Sequence, residues 1–221
     1  MWVVLDIWHA QLQPKGYWMT TPAPHHDDPN PITRFDALLA EAKAIPRDRL
    51  PEPTAMSLAT VDKLGRPSVR IVLLKGVDER GFVFYTNYES RKGHELLISK
   101  RAALCFHWQP METQVRVEGA VESVTNAEAD AYFASRARGS QIGAWASLQS
   151  RPMPAPDDLE RRVASVESRF EGIPVLRPPY WSGFRVIPER IEFWKGMPSR
   201  LHVRTVYTRS AAGWTTERLY P

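Results

Sequence analysis

The chain has one cysteine in 221 residues, no apolar run near the length of a membrane helix, and none of the short motifs that mark several large catalytic classes. A single cysteine, Cys105, excludes a disulfide within the chain and fits a reducing compartment. It lies in the apolar run AALCFHW and reads as a small buried hydrophobe rather than a reactive thiol. A membrane helix needs about 20 apolar residues, and no stretch here approaches that. The opening MWVVLDIWHA is apolar but carries Asp6 and no basic leader, so it is not read as a signal peptide, and the cytoplasm is the expected address. GxGxxG, the P-loop, HExxH, CxxC and GxSxG are all missing. The dinucleotide, triphosphate, zinc-protease, dithiol and hydrolase chemistries tied to them lose their support. His25 and His26 are adjacent, without a spaced cysteine or carboxylate, so no metal site is expected.

What is present is a mildly basic chain, formal charge +4, with 43% hydrophobic and 24% charged residues. That composition is ordinary for a soluble globule, and its charge favours anionic partners without specifying them. Residues 1–30, with several prolines and HDDPNP, read as an extended, partly disordered arm. Residues 31–221 read as one domain. ITRFDALLAEAKAI puts Phe35, Leu38, Leu39 and Ala42 on one helical face. From Ala55 onward, AMSLATV, SVRIVLLKGV, GFVFYTN, AALCFHW and TQVRVEGAVESV read as strands between turn-formers. GFRVIPERIEFWKG, RLHVRTVYTR and GWTTERLYP continue them. Helices interrupt the series: SRKGHELLISK, TNAEADAYFASRA with a Thr125–Glu128 capping box, and PDDLERRVASVESRF. The expected fold is mainly β with peripheral helices, an α+β barrel-like architecture.

Three clusters suit phosphate. Tyr132, Arg136 and Ser140 recur at i, i+4 and i+8, so a continuous helix would line them up as hydrogen-bond donors. Read alone, the spacing favours a solvent-facing stripe with Tyr132 half buried over a phosphate cradle. Ser90 reads as the N-cap of a helix starting with Arg91 and Lys92, where cations beside free N–H groups make an anion site or a solvated charge cluster. In RIVLLK, a regular strand would send Arg70 and Lys75 to opposite faces. The same rule, applied to RLHVR, would put Arg200, His202 and Arg204 on one face. Such a row of cations repels itself unless water or an anion faces it.

RIVLLKG, GFVFYTNYESRKG, QVRVEGAVE, YFASRARGSQIGAWASLQS, FWKG and RLHVR, in this order, resemble the pyridoxine/pyridoxamine 5′-phosphate oxidase family from about Pro53 to the C-terminal ERLYP. The resemblance implies a split β-barrel acting as a homodimer with FMN at the subunit interface. It implies oxidation of pyridoxamine 5′-phosphate or pyridoxine 5′-phosphate at C4′ to pyridoxal 5′-phosphate, with dioxygen reduced to hydrogen peroxide. For FMN it points to Arg70, Ile71, Val72, Leu73, Leu74, Lys75, Tyr85 and Thr86. It adds Arg91, Lys92, Gln114, Gln149, Ser150, Trp194 and Arg204. For the substrate it points to Lys75, Tyr132, Arg136 and Ser140. Arg200 and His202 are implied to hold the substrate ring and serve catalysis. Val203 stands where the family usually has Asp. Two other readings compete. A related split-barrel FMN oxidase, such as one acting on a phenazine precursor, would keep the flavin residues and change the substrate cradle. A basic nucleic-acid-binding protein would gather its cations in one stripe, whereas here they are dispersed.

Overall fold

The computed structural model describes residues 28–221. Apart from its last three residues, the expected arm over 1–30 lies outside the described residues, as do His25 and His26. The first helix, α1 (Pro31–Ala44), is opened by Asn30, whose side chain accepts the Ile32 N–H, and by Pro31 in its first turn. Phe35, Leu39 and Ala42 are buried as their spacing predicts. Phe35 packs edge-on against Phe82 and Phe106, at 4.8 and 4.9 Å between ring centres.

Among the described residues, nine strands form one antiparallel sheet: β1 (Ala55–Val61), β2 (Pro67–Leu73), β3 (Gly76–Asp78), β4 (Gly81–Asn87), β5 (Arg101–Trp108), β6 (Thr113–Ser123), β7 (Trp181–Lys195), β8 (Val203–Ser210) and β9 (Gly213–Leu219). Their order is β2-β1-β5-β6-β7-β4-β3, with β8 beside β7 and β9 beside β8. The core follows the two-residue period: Met56 and Leu58, Leu104, Phe106 and Trp108, and Val115 and Val117 all point inward. Trp108 is therefore core, its indole N–H bonded to the Pro53 carbonyl. Strand β7 splits the barrel. Its first half pairs with β4 and its second half with β8. The change of partner falls at a bulge between Glu118 and Gly119 of β6, opposite Pro188. A Cβ on Gly119 would lie 1.9 Å from the Ile187 carbonyl oxygen, so only glycine allows this approach.

The helices sit at the edges: α2 (Arg91–Ser99), α3 (Asn126–Ser135), α4 (Arg138–Ala146) and α5 (Asp158–Arg169). Thr125 and Glu128 form the expected reciprocal capping box, and Ser90 caps α2 through the Gly93 N–H.

Three local expectations are corrected. No single helix carries Tyr132, Arg136 and Ser140. α3 stops at Ser135, Arg136 is extended (φ −75°, ψ 148°), and α4 starts two residues later. Gln141 braces this break by donating its side-chain amide to the Phe133 carbonyl, which also accepts the Arg136 N–H. Arg70 and Lys75 do not share a strand, because β2 ends at Leu73. Arg200, His202 and Arg204 form no row on a strand face. β7 ends at Lys195, a tight turn spans Pro198–Arg200, and β8 begins only at Val203. Ser199 and Arg200 are both left-handed, at φ 57° and 61°, a conformation that costs a residue with a Cβ roughly 1–2 kcal/mol.

Candidate active site

A cavity of about 690 Å³ opens between the end of β2, strand β4 and the helix pair α3–α4, a size typical of small-molecule sites. Ile71, Val72, Leu73 and Lys75 line one side, and Tyr85, Thr86 and Lys92 another. Tyr132, Arg136 and Ser140 all face it. They converge because the chain breaks at Arg136, not because a helix aligns them. Gln149 completes the set, its Oε1 accepting from the Lys92 ammonium at 2.9 Å.

The cation end of the site is organised by a carboxylate that the sequence reading passed over. Glu95 is 4% exposed. It accepts from the Ser68 hydroxyl at 2.8 Å, the Arg70 guanidinium at 3.2 Å and Arg91 Nε at 2.8 Å, and from the Thr60 hydroxyl. Burial alone pushes the Glu95 carboxyl up. The Thr60 and Ser68 hydroxyls with Arg91 and Arg70 outweigh it and bring it down to about 2. Arg70 is thereby held beneath the site, outside the cavity lining, with further bonds to Leu58, Thr60 and Ser68. Burial and the nearby Arg70 charge both push the Lys92 ammonium below its usual range. A carboxylate one turn into α2 was visible as RKGHE, but nothing local shows that Arg70, 25 residues away, shares it.

The other end is aromatic. Tyr85 stacks on Tyr132 at 4.0 Å and lies parallel to Trp181 at 5.5 Å. Gly183 leaves room for this, since a Cβ there would come within 2.7 Å of the Tyr85 ring. The Arg136 guanidinium lies 4.7 Å from the Trp181 ring centre. Its Nη1 is buried with no hydrogen-bond partner among the described residues. Burial lowers the Arg136 pKa from its ordinary value, so the protein holds this charge in a poorly solvated place. Trp181 lines the cavity and was missed because it stands alone in sequence, the first residue of β7 after a proline-rich stretch.

The remaining predicted residues form a second group. Gln114, Trp194 and Arg204 are paired across β6, β7 and β8, so they form a lateral row on one sheet face. They are not among the residues lining the cavity. Arg204 is clamped by Glu192, which is 2% exposed: Nε meets Oε1 at 2.8 Å and Nη2 meets Oε2 at 3.1 Å. The His202 ring packs on Trp194 at 4.6 Å, and its Nδ1 accepts the Met197 N–H. That bond leaves Nε2 as the nitrogen able to donate. Arg200 is exposed on the strained turn. Leu74 is buried in the main core, and only its neighbours reach the cavity. Ser150 adopts φ 70° in the loop after α4, beside Gln149.

Residues 43–170 match the family model for pyridoxamine 5′-phosphate oxidase, and residues 181–221 match that for the pyridoxine 5′-phosphate oxidase C-terminal dimerisation region. The pyridoxine/pyridoxamine 5′-phosphate oxidase of Myxococcus xanthus is 62% identical over 194 residues, covering 87% of this chain and 92% of that protein. The enzyme of the same name from Rubrobacter xylanophilus is 56% identical, covering 88% of each. Among solved structures, PhzG from Burkholderia lata with bound tetrahydrophenazine-1-carboxylic acid superposes with a TM-score of 0.84 at 30% identity. The match covers 92% of this chain and 98% of that one.

Proposed function

The chain belongs to the pyridoxamine 5′-phosphate oxidase family, and from that premise we propose that it oxidises pyridoxamine 5′-phosphate and pyridoxine 5′-phosphate to pyridoxal 5′-phosphate with FMN as cofactor. The observation that carries this reading is Arg136. A buried, unpartnered guanidinium nitrogen beside a cavity fits an anionic ligand. The hydroxyls of Tyr132 and Ser140 and the Lys75 ammonium add donors for a substrate phosphate. Lys92, Thr86, Arg91 and Arg70 suit the FMN phosphate at the other end, with Ile71–Leu73 as an apolar wall for the ring system. FMN, when bound, supplies the two-electron redox chemistry, with dioxygen as the final acceptor and hydrogen peroxide as its product.

The protein's part is position and electrostatics. Arg200 presents a planar fork able to stack on and hydrogen-bond a substrate ring, and His202 offers a donor from Nε2. Gln114, Trp194 and Arg204 lie apart from the cavity lining, so one chain does not gather the whole set. A homodimer with FMN between subunits unites them, in keeping with the dimerisation region matched by residues 181–221. Among the described residues no helix is long and apolar enough to cross a membrane. With the lone cysteine, this supports a cytoplasmic enzyme.

The purified protein is expected to carry a flavin spectrum, bleached anaerobically by pyridoxamine 5′-phosphate. Its thermal midpoint should rise with added FMN, which binds the folded dimer, and with protein concentration, which favours that dimer by mass action. A colourless protein that takes up no FMN would sink the oxidase reading. A monomer in sedimentation that holds FMN tightly would refute the interface arrangement. Bleaching by a reduced phenazine precursor, and not by either B6 phosphate, would favour the phenazine alternative.

A further inference from the structure

Several arginines around this site are neutralised by carboxylates, and Arg136 is not. Arg70 and Arg91 share Glu95. Arg185, 3% exposed, meets Asp78 at 3.0 Å and Glu128 at 2.7 Å. Arg204 is clamped by Glu192. Arg136 forms no salt bridge among the described residues. Its guanidinium lies over the indole of Trp181 at 4.7 Å and more distantly over Phe133 at 5.7 Å.

The difference has a chemical consequence. A carboxylate occupies the donors of the fork and cancels its charge before any ligand arrives. An aromatic face holds the same cation by its quadrupole and leaves the N–H groups free. Trp181 is itself rigid. Its backbone N–H donates to the Pro178 carbonyl at 3.0 Å, its carbonyl accepts from Arg177 at 2.8 Å, and it pairs with Asn87 of β4. Phe133 braces the ring edge-on at 5.1 Å, and Tyr85 lies parallel on it.

We infer that Trp181 is a positioning residue for phosphate recognition, holding Arg136 in the cavity by its ring face so that full charge and free donors meet the substrate phosphate. The inference rests on the reading that Arg136 binds that phosphate, and it adds a determinant of the preference for phosphorylated over unphosphorylated B6 compounds. A tryptophan serving only as core packing would affect both classes of ligand alike.

The FMN-loaded enzyme tests this, using calorimetric binding of pyridoxal 5′-phosphate and of pyridoxal to the parent, Trp181→Leu, Trp181→Phe and Arg136→Ala proteins. In Trp181→Leu the preference for the phosphorylated ligand should fall about tenfold, ~1.4 kcal/mol, within the reach of a desolvated cation–π contact. The KM for pyridoxine 5′-phosphate should rise more than kcat falls. Trp181→Phe keeps a weaker ring face and should lose only about two- to threefold of the preference. Equal losses for both ligands, or an unchanged preference in either folded variant, would overturn the positioning role while Arg136→Ala still collapses the preference. An unchanged preference in Arg136→Ala would remove the phosphate assignment and the inference together. If Trp181→Leu fails to retain FMN, the phenylalanine variant decides by the same ratio.

Discussion

Glu95→Ala is expected to unfold at least several degrees below the parent and to lose flavin more readily. The carboxylate is buried and bridges Arg70 and Arg91 while accepting two hydroxyls. Removing one partner of a buried pair strands the other charge, at about 3–5 kcal/mol. The Arg70 side chain keeps 20% exposure, so the lower end, ~3 kcal/mol, applies. At about 2–4 °C per kcal/mol for a chain of this size, the midpoint should drop by roughly 6–12 °C. Added FMN should narrow that gap, because its phosphate returns negative charge beside Arg70 and Arg91. If the variant melts with the parent, Glu95 is not the organising charge.

Acid gives an independent check on the same group. Its folded pKa is depressed from an ordinary 4.5 to about 2, so its contribution is complete above about pH 4.5 and is lost as pH falls toward 2. Glu95→Gln lacks this dependence. Calorimetric midpoints of parent and Glu95→Gln should therefore differ most above pH 5 and converge as the solution is acidified through pH 4 and 3. A gap that stays constant over that range would place the parent's acid sensitivity elsewhere.

Arg136→Ala is expected to weaken binding of pyridoxamine 5′-phosphate about 10- to 100-fold. A hydrogen bond to a charged group contributes roughly 1.5–3 kcal/mol, and each ~1.4 kcal/mol is one decade. FMN affinity should hardly change, because Lys92 and Thr86 stand at the other end of the cavity, with the Glu95-bound arginines outside its lining. Stability should hold or rise slightly, since the variant removes a buried guanidinium nitrogen that has no partner. Fluorescence titration with FMN and steady-state KM separate the two ligands. A matching loss of flavin would show that the two phosphate ends are wrongly assigned.

The phosphate-suited residues were legible in the sequence for reasons that differ from how the fold assembles them. Tyr132, Arg136 and Ser140 do share a cavity, but through a helix break braced by Gln141. RLHVR looked like a cationic strand face, yet Pro198 and two left-handed residues lift Arg200 out of any strand. Glu95 and Trp181 carried no signal strong enough to be singled out, although both sit among the predicted residues.

The sequence by itself determined what is decided within about one turn or one strand. Ser90 caps its helix, Thr125 and Glu128 close a box, and the alternation along β5 and β6 divides core from outer face. Such features depend on backbone donors and side chains a few residues apart, so local pattern suffices. The order of the family motifs was legible in the same way, as a linear property of the chain. Only the tertiary structure decided which charges and rings meet: Arg70 with Glu95, Lys92 with Gln149, Trp181 with Arg136, and Gln114 with Trp194 and Arg204 in one row. These partners lie tens of residues apart. Their contact depends on strand register and on a bulge at Gly119 opposite Pro188 that lets β7 change neighbours, and a one-residue slip would send every side chain to the other face.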